Sequence, residues 1–451
     1  MPSFIPPSDR APYALPLSPD GFRRALYTGH GRAFLHAERH GLDGVLDDVL
    51  QAMLTHRCFW QQIHGGRAVW LLDMLESAGA LVDVLPKLQE ELPMVEFDNS
   101  DDSIWDLRQR DDALVLLHLR GQTWALDSLQ TAIAKRDESW GFPEGSDALI
   151  EAMGPDALAW LAPHFVNLEE CRSGAPWSEV EKIDEDHDQG TSLGVLDAAR
   201  ATCPAAEVLF QALLDSSRNP SPRPKRPAWN LKDLLERIED FEGKEQARWE
   251  LRAGNCARAA RDATEVDLMF LAQEWTIANT DWKRMAFAAC FTFHPLPLLD
   301  QSFLDQTGHA NVAIARFARR ALKHTTDPRI RELALAHVRS PDIFEDWLLL
   351  LYSNYEPGDH VQIEAALEPH EDPDVLDSLT WDLWKLGELP HPELAGTQLF
   401  VYEHSPCGYC RRKALENLLR FDRVPDWVRD EAVHDGCDDT RAWAREHLGA
   451  G

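Results

Sequence analysis

Apolar side chains recur at three- and four-residue steps along most of the chain, and this spacing constrains the fold more than any other feature. Between Val45 and Leu54 the apolar positions are Val45, Leu46, Val49, Leu50, Met53 and Leu54. Between Arg67 and Ala78 they include Val69, Trp70, Leu71, Leu72 and Leu75. A helix repeats every 3.6 residues, so such spacing lines one helical face with core side chains. The segments 21–35, 104–119, 124–134, 146–153 and 155–165 follow the same rule. Gly, Pro and Asp punctuate them, as in His40-Gly41-Leu42-Asp43 and Met153-Gly154-Pro155. Few stretches alternate at period two. The aliphatic run 113–119 fits a strand in isolation, but its flanks favour a helix. The expectation is therefore an all-α chain.

Composition sets the scale. Of 451 residues 44% are hydrophobic, enough for a large core. At roughly 150 residues per domain the length suits two or three domains or one elongated array. Asp and Glu number 76 against 45 Lys and Arg, a formal charge of −31. The excess is spread over both halves, so it is no acidic tail. Such a chain is repelled by phosphate backbones, which argues against nucleic acid as a partner. No run of ~18 apolar residues is present to span a membrane. The opening stretch lacks the basic and apolar regions of a signal peptide, and the eight cysteines are scattered. Both features suit reduced thiols in the cytoplasm.

Two shifts in composition mark boundaries. Residues 179–190 form an acidic run. Residues 216–228 hold prolines 220, 222, 224 and 227 and the cations Arg218, Arg223, Lys225 and Arg226. Proline lacks an N–H and clashes with the preceding turn, so this segment cannot stay helical. The organisation expected is a proline-rich arm at 1–19, a helical block at 20–215, a basic linker at 216–229 and a second block at 230–451.

The second block repeats at intervals of roughly 30–45 residues, the range of helical arrays. Its clearest pair is the helix 312–322 followed by Thr325-Thr326-Asp327-Pro328 and the helix opening Arg329-Ile330-Arg331. Asp327 suits the N-cap and Pro328 the first turn. Asp-Pro-x-Ile-Arg-x-x-Ala at 327–334 resembles the HEAT repeat family of α-solenoids. Weaker echoes open at Asp372-Pro373, at Pro425-Asp426 and at Asp438-Asp439-Thr440-Arg441. The resemblance implies an α-solenoid of antiparallel helix pairs, with Asp327, Pro328, Arg331 and Arg441 in structural roles. It also implies a scaffold that binds partners rather than an enzyme.

Several residues carry candidate chemistry. His404, Cys407, Cys410, His434 and Cys437 have ligand types that suit zinc, and a CxxC at a helix start also suits thiol redox chemistry. Buried packing of small thiols competes with both. His36 and His40 share a helical face at i, i+4, which suits a metal or plain surface histidines. Residues 58–67 join aromatic, amide, imidazole and guanidinium groups across Gly65-Gly66, without the Lys-Ser/Thr of a phosphate loop. The acids between Asp98 and Asp112 read as a solvated polar face. Most of the sixteen tryptophans suit helix–helix wedges. Trp381 and Trp384, with Tyr352 and Tyr355 nearby in sequence, suit a partner-binding aromatic patch.

The function expected is thus a non-catalytic, cytoplasmic interaction scaffold without a cofactor. Its acidic surface would steer a partner protein with a basic one. Two alternatives stand beside it. One is an acidic inhibitor that masks a basic toxin or nuclease. The other is a zinc or thiol protein using the C-terminal Cys/His cluster.

Overall fold

The computed structural model describes residues 11–56, 66–93, 101–136, 145–164, 191–201, 203–218, 231–240, 249–338, 347–368 and 372–449. Among these residues every regular element is helical and no strand occurs. None of these helices is long and apolar enough to cross a membrane. The chain forms two compact units. One comprises 11–224 and 429–451, the other 225–428.

The first unit begins with α1 (Pro19–Thr28), α2 (Gly31–His40), α3 (Leu46–Leu54), α4 (Arg67–Ser77) and α5 (Leu81–Glu91). It continues with α6 (Asp101–Leu119), α7 (Thr123–Ile133), α8 (Ser146–Met153), α9 (Ala157–Leu161), α10 (Thr191–Ala199) and α11 (Pro204–Arg218). The start of α1 is written locally. The Ser18 Oγ accepts the Gly21 N–H at 3.2 Å, and Pro19 opens the first turn. Helix α6 packs against α3, α4, α7 and α8, and its Ala113, Leu114 and Leu117 lie in the core with Trp70, Leu71 and Leu75.

Asp111 and Asp112 of α6 depart from the solvated face expected of them. Asp111 is 1% exposed and accepts two hydrogen bonds from the Arg136 guanidinium, at 2.6 and 2.7 Å. Burial, with Asp147, Asp111 and Glu151 adding to it against Arg108, pushes the Asp112 carboxyl up to about 7. The reason is positional, since Asp111 falls on the core side of a helix that is packed on several faces. Asp98 and the run 179–190 lie outside the described residues.

The second unit contains α12 (Leu231–Asp240), α13 (Trp249–Ala259), α14 (Glu265–Ile277), α15 (Asp281–Cys290), α16 (Gln301–Gln306) and α17 (Val312–Leu322). Then come α18 (Pro328–His337), a 3-10 turn (Leu348–Leu351), α19 (His360–Glu364), α20 (Pro373–Leu386), α21 (Ala395–His404) and α22 (Gly408–Arg420). Elements two apart in sequence stack on one another. Helix α13 packs on α15, α15 on α17, α17 on the 3-10 turn, that turn on α20, and α20 on α22. The intervening helices α14, α16, α18 and α21 pack beside this row.

Polar side chains tie the row together at a regular distance along the chain. Trp275 Nε1 donates to Gln306 Oε1 (2.9 Å), and Asn311 Nδ2 to Asp281 Oδ2 (3.2 Å). The Leu296 N–H donates to Thr325 Oγ1 (2.9 Å), and the Asp327 N–H to Asn354 Oδ1 (2.8 Å). The Tyr352 hydroxyl donates to the Asp382 carbonyl (3.2 Å), and Asn417 Nδ2 to the Trp384 carbonyl (2.8 Å). These links join residues 27 to 33 positions apart.

The chain then returns to its beginning through α23 (Asp426–Ala432) and α24 (Asp438–His447). Residues 429–451, expected with the second block, belong to the first unit. The Gly436 N–H donates to the Gly29 carbonyl (2.7 Å), and Trp70 Nε1 to the His434 carbonyl (2.8 Å). The Phe34 and His434 rings stack at 5.0 Å. Glu431 is fully buried, and its Oε1 accepts from Arg32 Nε (3.0 Å) and meets His30 Nδ1 (3.1 Å). A β-carbon on Gly31 would run into the Glu431 carbonyl, so this close approach requires glycine.

Candidate functional site

Helix α14 is apolar on both sides. Thr264 caps it through a reciprocal capping box with Asp267. Leu268, Leu271, Ala272 and Trp275 face the core, where the Trp275 ring stacks on Phe291 and Phe303 at 5.9 and 4.2 Å. On the opposite side Val266 is 78% exposed, Ile277 70%, Phe270 39% and Met269 37%. Positions 266, 270 and 277 repeat at helical spacing on one face, with exposed Gln273 between the last two. An ordinary surface helix puts polar residues there. Exposed Glu265 and Asp262 flank its N-terminal end. The signal in the sequence was the loss of amphipathicity in Glu265-Val-Asp-Leu-Met-Phe-Leu-Ala-Gln-Glu-Trp-Thr-Ile277, which periodicity counts pass over.

A second arrangement lies where α20 meets the start of α22. Cys407 is the N-cap of α22 and Cys410 sits in its first turn, so both thiols face the same side. Ser405 organises this turn. Its Oγ accepts the Cys407 N–H (3.2 Å) and the Thr380 hydroxyl (3.0 Å), and its carbonyl accepts from Arg411 Nη1 (3.1 Å). Cys407, Cys410 and Arg411 are buried. Asp377 of α20 brings a carboxylate oxygen to the two sulfurs, and the three atoms lie within 4.8 Å of one another. The hydrogen bond from Cys410 holds the Cys407 thiol below its ordinary range, helped by the Cys410 N–H and Arg411 against burial and Asp377. That same bond, with burial, pushes Cys410 up.

Aromatic rings adjoin this turn. Trp381 and Trp384 of α20 meet edge to face at 5.3 Å, and Tyr409 lies 6.1 and 6.0 Å from them. Lys385 Nζ stands 4.8 Å from the Trp381 ring. Trp381 is exposed, whereas Trp384 is buried. Tyr352 and Tyr355 are not among these rings. Tyr352 reaches the Asp382 carbonyl, and Tyr355 packs on His391 at 4.7 Å. Sequence reasoning missed Tyr409, although it stands between the two cysteines.

Two of the five residues expected for zinc, Cys407 and Cys410, stand together with an acid that the sequence did not single out. Among the described residues, Asp377, Cys407 and Cys410 form the group of three candidate ligands. His404 packs on Phe400 at 4.6 Å, and His434 and Cys437 belong to the first unit. His434 and Cys437 stand on the turn between α23 and α24. His36 is engaged by the Leu17 N–H (2.9 Å) and lies against Phe22 (5.0 Å). Of the 58–67 segment only Gly66 and Arg67 are described. Arg67 is buried and donates to the Leu26 carbonyl.

The four residues read as HEAT-like occupy these positions. Asp327 caps α18 by accepting the Arg329 N–H (2.9 Å), and Pro328 opens it. Arg331 donates twice to the buried Asp359, at 3.0 and 2.5 Å. Arg441 turns back on its own segment, to the Asp435 carbonyl (2.6 Å) and to Asp438. Comparison with protein-family models, with curated proteins and with solved structures gave no match.

Proposed function

We propose that this chain is a non-catalytic protein-interaction scaffold whose second unit is a HEAT-like stack of helix pairs. The exposed stripe of α14 carries the reading. Four large apolar side chains on the outer face of one helix are costly to leave in water, at about 25 cal/mol per Å². Surfaces of that kind mark partner sites. Two further features support it. The side-by-side stacking of alternate helices is how solenoids present extended faces. Each polar link spans 27 to 33 residues, the length of one helix pair with its turns, and at least one link joins each pair to the next. The acidic charge adds the chemistry of the partner, an apolar surface bordered by Lys and Arg.

The test is affinity capture with the full chain, comparing wild type with F270D and V266D. A protein retained at about 50 mM salt, weakened at about 0.5 M and lost with either variant supports the reading. Capture that ignores both the variants and the salt overturns it, as does no capture at all. Phe270 and Val266 point to solvent, so the variants should melt like wild type. The zinc or thiol alternative rests on a different part of the molecule.

A further inference from the structure

We infer that Asp377, Cys407 and Cys410 form a metal site for a thiophilic d10 divalent cation of the zinc class. Tetrahedral zinc bound at ~2.3 Å to sulfur and ~2.0–2.2 Å to carboxylate oxygen places its ligand atoms roughly 3.5–4 Å apart. The three donor atoms here all lie within 4.8 Å of one another, so small side-chain shifts close the set. Two soft thiolates with one carboxylate select zinc over calcium or magnesium, which take oxygen alone.

The surroundings fit a bound cation in three ways. The pair of sulfurs comes from an N-cap and the first turn of α22, a spacing that directs both to one point without distorting the helix. The turn is held by the Ser405 hydroxyl and by Thr380, which fixes the Cys407 backbone as an outer shell does around metal ligands. Charge is favourable as well. Two thiolates and a carboxylate carry three negative charges against the metal's two positive ones, and the buried Arg411 guanidinium beside the turn favours the Cys407 thiolate. Three protein ligands leave one tetrahedral position for water or a donor from a bound partner. A disulfide between the two sulfurs would make no use of Asp377.

The site would bridge α20 to α22 beneath Trp381 and Tyr409, so metal should stiffen the edge that carries those rings. This goes beyond the scaffold reading and does not depend on it. Loss of partner capture would leave the metal result untouched, and the reverse also holds.

The probe is Co(II), titrated into the full chain purified with reductant and chelator and then freed of both. One equivalent should produce thiolate-to-cobalt absorption in the near ultraviolet and tetrahedral d–d bands in the visible. C407S and C410S should lose the thiolate bands. D377N should weaken binding at least tenfold, while H434A and C437S should match wild type. Zn(II) should displace the cobalt spectrum and raise the melting temperature of wild type but not of C407S. Far-ultraviolet dichroism identifies a variant that failed to fold, and D377N, the mildest change, then decides. Folded wild type that gives no thiolate band overturns the assignment. So does a Co(II) spectrum indifferent to C407S, or an affinity indifferent to D377N.

Discussion

Replacing Glu431 with alanine is expected to destabilise the first unit by about 3–5 kcal/mol, the cost of breaking a buried ion pair from one side. The magnitude follows from burial on both sides of the contact. Glu431 is fully buried, and the Arg32 and His30 side chains are 10% and 5% exposed. Removing the carboxylate takes the Glu431 charge away from the Arg32 guanidinium in a place water reaches poorly. The charge-assisted bond at 3.0 Å is lost as well. Conversely, the pair as a whole contributes little, because desolvation offsets its attraction. E431A combined with R32A should therefore cost less than the two single changes added together. The assay is urea denaturation of wild type, both single variants and the double, followed by circular dichroism. An E431A loss below about 1 kcal/mol, or strict additivity, would refute the reasoning. Either result would mean that Glu431 and Arg32 do not form a buried ion pair in solution.

Other consequences are equally open to measurement. D359A removes the acceptor of two Arg331 bonds and of the Glu356 N–H (2.9 Å). It should cost about 2–3 kcal/mol, less than the Glu431 change because Arg331 is partly exposed and can turn to water. D327A should cost about 1 kcal/mol through loss of the α18 cap, read from the denaturation midpoint. For Asp112 the folded value, pushed up to about 7, lies above the ordinary 3.8. The folded state thus holds the proton more tightly than the unfolded chain. Its contribution to stability is full below about pH 4 and is lost as pH rises through 7. D112N should therefore be more stable than wild type at pH 8, by up to about 4 kcal/mol, and equal to it near pH 4. A D112N advantage that stays constant with pH would contradict the buried carboxyl.

Local structure was legible because its causes are local. The helix expected at 146–153 is Ser146–Met153, and the one expected at 124–134 is Thr123–Ile133. The cap at Asp327 and the proline after it could be read from a few residues. What was not legible depends on residues far apart. Glu431 and Arg32 are separated by 399 positions, and no periodicity reports such a pairing. Its local trace is Gly29, Gly31 and Gly436, which resemble ordinary helix ends in sequence. Asp377 could not be told from Asp374 and Asp382 on the same helix, since only packing against α22 brings it to the two sulfurs. Spacing alone grouped His434 and Cys437 with Cys407, and unit membership, which divides them, has no trace in spacing. The α14 stripe was hidden for the opposite reason. An apolar residue counts as core in any reading by period, and exposure decides otherwise.

The claim that most needs testing is that a partner docks on the outer face of α14. Amide hydrogen exchange on the full chain, with and without the captured partner, measures this directly. The account predicts slowed exchange over Glu265–Ile277, and no such change in F270D. Protection confined to the first unit, with Glu265–Ile277 exchanging as in the free protein, would contradict it.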